Sequence, residues 1–366
     1  MHTKKNNPDL LLMIVTFSLL SIGLIMVYSA SAVWAAYKFD DSFFFAKRQL
    51  LFAGVGVVAM FFIMQVDYWT WRKISKVFLL VCFVLLIAVL IPGIGMARNG
   101  SQSWIGVGAF SIQPSEFMKL AMIAFLAKFL SEKQKYITTI KKGLFPSLGL
   151  VFLAFGLIML QPDLGTGTVM VGTCVVMIFV AGARVSHFVW LGAFGLGGFI
   201  ALIASAPYRM QRITSYLDPW ADPLGSGFQM IQSLLAIGPG GLLGLGLGQS
   251  RQKFFYLPEP QTDFIFAILS EELGFIGGSF VILLFGLLLW RGIRIALGAP
   301  DLYGSFLAVG IVSMVAIQVM INIGVVTGLI PVTGITLPFL SYGGSSLTLM
   351  LMAIGVLLNI SKHSRY

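Results

Sequence analysis

Repeated apolar runs of about twenty residues constrain this chain more than any other feature, because a helix needs that length to cross a bilayer. Hydrophobic residues make up 58% of the 366 residues and charged residues only 10%, whereas a soluble domain carries about 25% charged residues. We therefore predict an all-α polytopic membrane protein with ten transmembrane helices. The predicted spans are residues 10–32, 49–66, 77–94, 117–130, 144–160, 166–181, 188–206, 264–290, 303–329 and 337–360.

The distribution of basic residues predicts how these spans are oriented. Lys4 and Lys5 precede the first span, which favours a cytoplasmic amino terminus. With alternating spans, 15 Lys and Arg residues fall in cytoplasmic segments and 8 in external segments, as expected from the excess of positive charge on the cytoplasmic side. Both termini are then cytoplasmic, and residues 207–262 form a long external loop between spans 7 and 8. This loop is rich in Trp, Tyr, Phe and Leu, so we expect it to pack on the external face with short amphipathic helices around residues 228–237. Residues 1–366 are predicted to be one integral-membrane domain.

Composition also excludes several classes of protein. The net charge of +10 is spread over loop ends, which is a pattern typical of membrane topology and not of a nucleic-acid-binding patch. Cys82 and Cys174 lie inside apolar runs, so we expect no disulfide between them. The three histidines, His2, His187 and His363, are too dispersed to predict a catalytic triad or a metal cluster.

Four of the chain's 14 carboxylates lie within residues 256–272. A charge at the edge of hydrocarbon is costly, so a carboxylate placed there indicates a functional site. Glu259 falls in a Pro-rich loop, where we expect it to orient basic neighbours. Glu271 and Glu272 point about 100° apart on a helix, so at least one should face the bundle interior and meet a cation.

Asp263 follows that Pro-rich loop and precedes a predicted span. We predict that Thr262 caps the helix and that Asp263 occupies its first turn at the external membrane surface. One interpretation makes Asp263 a catalytic carboxylate. The other, which the sequence supports about equally, makes it a partner for the helix dipole.

Two further segments carry polar residues next to a span. Glu116 and Lys119 are i, i+3 neighbours in a helix that starts at Pro114, and they predict either a structural ion pair or a site for a charged headgroup. Trp104 ends a polar segment that begins at Arg98. It is either an interfacial belt residue, which is the commoner case, or a surface that stacks on a sugar.

Two segments rich in small residues have simpler interpretations. Residues 238–248 contain six glycines, but no strand precedes them and no ribose-binding acid follows, so a dinucleotide site is excluded. We expect close packing at the membrane surface instead. Residues 337–346 open the last span with small and hydroxylated side chains, among them Ser345. These favour close helix packing, with the lining of a cavity as the alternative.

Taken together, the residues predict an outward-facing polar site above a hydrophobic bundle. It would contain the Asp263 carboxylate and several cations, which are Arg98, Lys119, Arg209, Arg212, Arg251 and Lys253. Cationic side chains stabilise pyrophosphate charge, and a carboxylate can accept the proton of a sugar hydroxyl. The site therefore suits a substrate with an anionic headgroup and a lipid tail.

Six segments also carry a family resemblance, namely residues 103–105, 113–119, 161–167, 256–267, 271–274 and 338–346. In order and spacing they resemble the SEDS family of shape, elongation, division and sporulation proteins over essentially the whole chain. The resemblance implies a peptidoglycan glycosyltransferase that polymerises lipid II by an inverting transfer on the outer face of the cytoplasmic membrane, with undecaprenyl diphosphate as leaving group. It would act with a class B penicillin-binding protein, in septal or sporulation (cortex) wall synthesis.

The resemblance also assigns roles to particular residues. It makes Asp263 the essential aspartate, Trp104 the important tryptophan of the first polar external loop, and Glu116 and Lys119 the polar pair of the fourth span. It implies dependence on a divalent cation, Mg²⁺ or Mn²⁺, although no carboxylate cluster in the sequence defines a metal site.

Two other functions remain open on the sequence. A lipid II flippase would fit the many spans with buried charges equally well, but it needs access from both leaflets, whereas the polar residues here gather on one side. A non-catalytic scaffold that recruits the penicillin-binding protein would leave the external polar site unexplained.

Overall fold

Twelve α-helices and one small β-sheet form the described part of the chain, which is residues 7–98, 101–107, 110–204 and 207–364 of a computed structural model. Lys4 and Lys5, which support the predicted orientation, lie outside these residues. The helices are α1 (Leu10–Phe39), α2 (Phe44–Gln65), α3 (Tyr68–Val89), α4 (Pro114–Lys133), α5 (Phe145–Met159), α6 (Leu164–Val180), α7 (Val185–Ala204), α8 (Pro207–Leu217), α9 (Phe228–Ile237), α10 (Ile265–Gly298), α11 (Leu302–Val326) and α12 (Gly344–Ser361).

The long apolar runs form helices, as predicted. Each of the ten predicted spans overlaps one helix, and these are α1 to α7 and α10 to α12. Among the described helices, α1, α2, α10, α11 and α12 are long and apolar enough to cross a membrane, while α5 and α6 are shorter apolar helices. Aspartates cap three of them, since Asp9, Asp163 and Asp301 accept hydrogen bonds from first-turn amides of α1, α6 and α11.

The expectation of an all-α protein was incomplete. A three-stranded antiparallel sheet follows α3, with strands β1 (Gly95–Arg98), β2 (Ser101–Val107) and β3 (Phe110–Ile112) in the order β1-β2-β3. Trp104 lies opposite Met96 in this sheet. The sheet is bonded to the segment between α5 and α6, because Ser103 Oγ donates to the Gln161 carbonyl at 3.3 Å. Strands this short leave little alternation to recognise in a sequence.

Segment 207–262, which is predicted to be external, contains two α-helices. The predicted amphipathic helix at residues 228–237 is confirmed as α9, whose Ser233 Oγ donates to the Val326 carbonyl of α11 at 2.8 Å. Helix α8 was not predicted. The loop is therefore packed on the bundle and not a free linker.

Two polar contacts join α1 to the antiparallel helix α10. Arg291 Nε donates to Asp9 Oδ2 at 2.9 Å, and Ser29 Oγ donates to Glu272 at 2.7 Å. The contacts are twenty residues apart on α1, or about 30 Å of helix, which matches the roughly 30 Å hydrocarbon core of a bilayer. Trp290, half exposed beside Arg291, is a typical interfacial residue. The two contacts, Asp9–Arg291 and Ser29–Glu272, are therefore separated by about the thickness of the hydrocarbon core.

Candidate active site

Asp263 lies just before α10, not in its first turn as predicted. The helix begins at Ile265, and Phe264 occupies the N-cap position. Thr262 does not cap the helix, because its hydroxyl donates to the Glu259 carbonyl at 2.9 Å instead. Two prolines and this turn keep the chain non-helical up to Asp263, which is half-buried. The aspartate therefore follows directly on segment 207–262 and precedes the helix.

The backbone around Asp263 is held by three hydrogen bonds, one from α11 and two from the residues just before α12. The carbonyls of residues 261, 262 and 263 accept, in that order, from Tyr342 N at 2.8 Å, Ser341 Oγ at 2.6 Å and Asn322 Nδ2 at 2.8 Å. Asn322 is buried in α11. Because three consecutive carbonyls are bonded, the position and direction of the Asp263 backbone are fixed.

The Asp263 side chain faces the segment between α11 and α12. A methyl group added at Gly334 would lie 3.6 Å from Asp263 Oδ2, so the Gly334 backbone passes beside the carboxylate. Gly334 has φ of 76°, a left-handed conformation that favours glycine. The next residue, Ile335, accepts from Asn322 Nδ2 through its carbonyl at 2.7 Å and packs against Gly165 of α6. Asp263 is thereby connected to the start of α6.

Three helix N-termini meet on that side of the site. Gln113, which precedes α4, donates from Nε2 to Asp163 Oδ2 at 2.9 Å, and Ser115 Oγ donates to the same oxygen at 3.1 Å. Gln113 N also donates to Ser345 Oγ in the first turn of α12 at 3.2 Å. Helix N-termini carry partial positive charge and bind anions. The N-termini of α4, α6 and α12 converge here, with the Asp163 carboxylate bonded between the first two.

Glu116 and Lys119 form the predicted ion pair. Lys119 Nζ lies 2.9 Å from Glu116 Oε1, and the two side chains are 1% and 7% exposed. The second carboxylate oxygen, Oε2, is buried and has no hydrogen-bond partner among the described residues. A buried charged oxygen left without a donor is costly, and such a group needs an explanation beyond stability. Its place in the first turn of α4 puts it beside the site.

Lys253 has surroundings different from those predicted. Its Nζ lies 3.2 Å from Glu272 Oε1 and also donates to the Gly248 carbonyl, and the residue is only 6% exposed. This confirms that a glutamate of the Glu271–Glu272 pair meets a cation. Glu271 accepts from the Arg251 amide at 2.8 Å. Lys253 is therefore part of the structure that holds segment 207–262, and its contact with substrate stays a prediction.

The remaining predicted residues lie in the β-sheet and in segment 207–262. Arg98 is in β1, and Arg209 and Arg212 are in α8, but their side chains are outside the part of the chain that the structure describes. Trp104 is half-buried in β2, and Glu259 is exposed in the loop before Asp263. The structure brings Asp263, Glu116, Lys119 and Ser345 to one side of the bundle through the contacts above.

Sequence reasoning missed Asn322 and Asp163. Asn322 was detectable as an amide in the middle of an apolar span, which is a costly placement and usually a functional one. Asp163 follows Pro162 in a segment whose sequence predicts no more than a tight turn. The structure shows that it caps α6 at Thr166 N, 3.1 Å away, and also binds α4 through Gln113 and Ser115.

The chain is similar to curated proteins along its whole length. It is 81% identical over 366 residues to stage V sporulation protein E of Bacillus subtilis (strain 168), covering 100% of both chains. It is 44% identical to the probable peptidoglycan glycosyltransferase FtsW of Geobacter sp. (strain M18), covering 98% of this chain and 97% of the relative.

Solved structures are similar in fold. One is a chain from a study of the structural coordination of polymerization and crosslinking by a peptidoglycan synthase complex, with a TM-score of 0.79, 32% identity and 97% of each chain covered. Another is the rod shape determining protein RodA of Thermus thermophilus, with a TM-score of 0.73, 28% identity and 98% of each chain covered. The family model for the cell cycle proteins FtsW, RodA and SpoVE matches residues 10–366. The chain belongs to this family, as its sequence motifs indicated.

Proposed function

We propose that this chain is a peptidoglycan glycosyltransferase that polymerises lipid II on the outer face of the cytoplasmic membrane. The observation that carries the proposal is the fixed Asp263 carboxylate beside a region where three helix N-termini meet. Support comes from the family and from relatives named as probable peptidoglycan glycosyltransferases at 44% identity.

The depth of the site supports this substrate. We propose that the Asp9–Arg291 contact lies at the inner boundary of the hydrocarbon and the Ser29–Glu272 contact at the outer boundary. Ser361 Oγ accepts from the Asp9 amide at 3.0 Å, so the end of α12 lies level with the first of these contacts. The 18 residues of α12 rise about 27 Å, so Ser341 and Tyr342, which hold the Asp263 segment, lie near the outer boundary. We propose ten spans with both termini cytoplasmic and the 207–262 segment outside. Asp263 would then lie where the headgroup of a membrane-anchored lipid rests.

The chemistry we propose is one inverting transfer. Asp263 accepts the proton from the 4-hydroxyl of the acceptor GlcNAc as the oxygen bonds to the anomeric carbon of a lipid-linked MurNAc. The bond from that carbon to the diphosphate oxygen breaks, and undecaprenyl diphosphate leaves with the bonding electrons. Attack opposite the leaving group inverts the anomeric centre. The fixed backbone at residues 261–263 keeps the carboxylate in place for this proton transfer.

General-base catalysis supplies only about 10²–10⁴ of a rate enhancement. The rest must come from orienting the two sugars and from stabilising the diphosphate that leaves. The N-termini of α4, α6 and α12 and the buried Lys119 can stabilise that negative charge. We propose that Ser345 and Trp104 contact substrate nearby, and that Arg98, Arg209, Arg212 and Glu259 do so from the external segments.

A divalent cation fits this site only if substrate phosphates and water supply most of its ligands. Within the described residues, no group of three His, Cys, Asp or Glu side chains could hold a metal ion. Mg²⁺ is often held by one or two carboxylates together with substrate phosphates and water, and Asp263 would be the protein ligand in such an arrangement. The bound cation would neutralise charge on the diphosphate.

We also propose that the chain works with a class B penicillin-binding protein, which would crosslink the nascent glycan strand. The similarity to a chain of a peptidoglycan synthase complex that couples polymerization and crosslinking supports this partner. Septal or forespore membrane is the proposed location, since a relative at 81% identity is named as a stage V sporulation protein.

Reconstituted protein can test the proposal. The chain with its penicillin-binding partner, in liposomes containing lipid II, should form glycan polymer, and the Asp263→Asn variant should form none. A flippase would instead move lipid II between leaflets without polymer, and Asp263→Asn would then have no polymerisation to lose. Absence of polymer from the wild-type complex, with lipid II translocation intact, would replace our proposal by that alternative.

A further inference from the structure

Helix α10 is interrupted at Gly274, where φ is 66° and ψ is −166°. The glycine-rich segment 240–248 fills the interruption by pairing with the helix backbone. Its bonds are Leu245 N to Glu271 O at 3.0 Å, Gly246 N to Glu272 O at 3.0 Å, Phe275 N to Gly241 O at 2.8 Å and Ile276 N to Leu242 O at 3.1 Å. The segment thus satisfies four backbone groups that the interruption would otherwise leave unpaired.

This contact requires glycine on both sides. A methyl group at Gly244 would collide with the Glu272 carbonyl, one at Gly240 with the Ser270 carbonyl, and one at Gly274 with the Gly244 amide. Gly244 also has φ of 80°, which disfavours other residues. The two backbones therefore touch directly, and the segment is held as firmly as a neighbouring helix would be.

The depth of the segment follows from its partners. Glu272 lies at the outer hydrocarbon boundary through its bond with Ser29. Ile276 is one turn further into the membrane, about 6 Å along the helix. Since the Leu242 carbonyl accepts from the Ile276 amide, the tip of the segment reaches below the boundary. Non-helical backbone is tolerated at such depth where protein satisfies its polar groups.

The tip also exposes only apolar side chains. Leu242 and Leu243 are 70% and 78% exposed, and they adjoin Phe275 and Ile276 of α10, which are exposed as well. The part of α10 that precedes this tip is covered by protein, because residues 265–272 are all buried. A contiguous apolar surface of this kind marks a contact with lipid or another protein, and its depth favours lipid.

We propose that residues 240–248 form a re-entrant loop seated among the acyl chains of the outer leaflet. The loop is fastened to α10 by its backbone and, just beyond it, by the Lys253–Glu272 ion pair. It anchors the external segment 207–262 to the bilayer at a fixed height. Asp263 ends that segment, so the lipid contact keeps the carboxylate level with the headgroups.

Fluorescence quenching in lipid nanodiscs tests this directly. Leu243→Cys, labelled with bimane in the chain alone, is compared with Leu224→Cys, whose side chain is 88% exposed in the external segment, and with Leu283→Cys, which is exposed midway along α10. Both native cysteines are buried, and the protein without an added cysteine measures the background. Aqueous iodide and phospholipids with a nitroxide on the acyl chain serve as quenchers.

Bimane at position 243 should be quenched in the same way as bimane at position 283. Iodide quenching should be about fivefold weaker or less at both positions than at Leu224, because hydrocarbon excludes ions, while the nitroxide lipid should quench both strongly. Iodide quenching at Leu243 equal to that at Leu224, or failure of both quenchers to reach it, would overturn the proposal. Loss of lipid quenching at Leu243 when the penicillin-binding partner is added would assign the surface to that protein instead.

Discussion

Asn322 on α11 binds the backbone carbonyl of Asp263, with its Nδ2 2.8 Å from that oxygen. The same amide group binds the Ile335 carbonyl at 2.7 Å. One buried side chain therefore fixes both the Asp263 backbone and the facing segment between α11 and α12. The relationship makes Asn322 a positioning residue for the proposed base.

Asn322→Asp should impair polymerisation with little change in side-chain volume. The substitution removes both donated hydrogen bonds, and each buried acceptor left unsatisfied costs about 1–3 kcal/mol. We expect the polymerisation rate per folded molecule to fall by tenfold or more, with kcat affected more than the apparent KM for lipid II. Gln318→Met, which changes a buried amide one turn earlier in α11, is the control. Normal kcat in Asn322→Asp would show that the Asp263 backbone needs no such support.

Asp263→Asn and Asp263→Ala should abolish glycan polymerisation while membrane insertion and folding stay normal. The backbone of residues 261–263 is held by Tyr342, Ser341 and Asn322, so we expect the chain to keep its course when the carboxylate is replaced. The matched control is Asp40→Asn, an exposed aspartate with left-handed φ, which should retain activity. Near-wild-type polymer from either Asp263 variant would remove it as the general base.

Variants of the Glu116–Lys119 pair should affect the stability of the protein and its polymerisation activity in different ways. Lys119→Met alone leaves a buried carboxylate unpaired, at a cost of about 3–5 kcal/mol, so the level of folded protein should fall. Glu116→Leu combined with Lys119→Met should restore that level, as replacement of buried pairs by apolar residues often does. We expect the double variant to remain inactive because Lys119 helps to stabilise the diphosphate. Full polymerisation by a stable double variant would show that the pair has no part in catalysis.

Thiol labelling of intact cells should establish the orientation of the chain. Leu224→Cys, strongly exposed in the external segment, should react with an impermeant reagent added outside. Lys135→Cys, exposed in the segment between α4 and α5, should react only after permeabilisation. The opposite pattern would invert the topology and place the proposed site in the cytoplasm.

Lys253→Met should act through structure and not through substrate. The lysine is buried against Glu272, so its loss should lower the melting temperature and loosen the external segment. The combined change Lys253→Met with Glu272→Leu should recover much of the stability, since it removes both charges of the pair. An unchanged melting temperature together with a raised KM for lipid II would restore the original prediction that Lys253 contacts substrate.

The sequence by itself determined the membrane class, the helical segments and the local pair Glu116–Lys119. These depend on hydrophobic length and on neighbours three residues apart, both of which are written along the chain. It also predicted α9 and, through its motifs, the family. The roles of individual site residues stay predictions that the variants above can test.

Only the tertiary structure decided where the polar groups meet. Asn322 lies 59 residues from Asp263, and Ser29 lies 243 residues from Glu272, and no local pattern encodes which distant donor will satisfy a given acceptor. The interruption of α10 is a similar case: a Gly274 inside an apolar run is compatible with a continuous helix until another backbone supplies the missing hydrogen bonds. Inside a membrane every such group must find a partner in the protein. Packing, which chooses that partner, therefore fixes the position of Asp263 and the depth of the loop beside it.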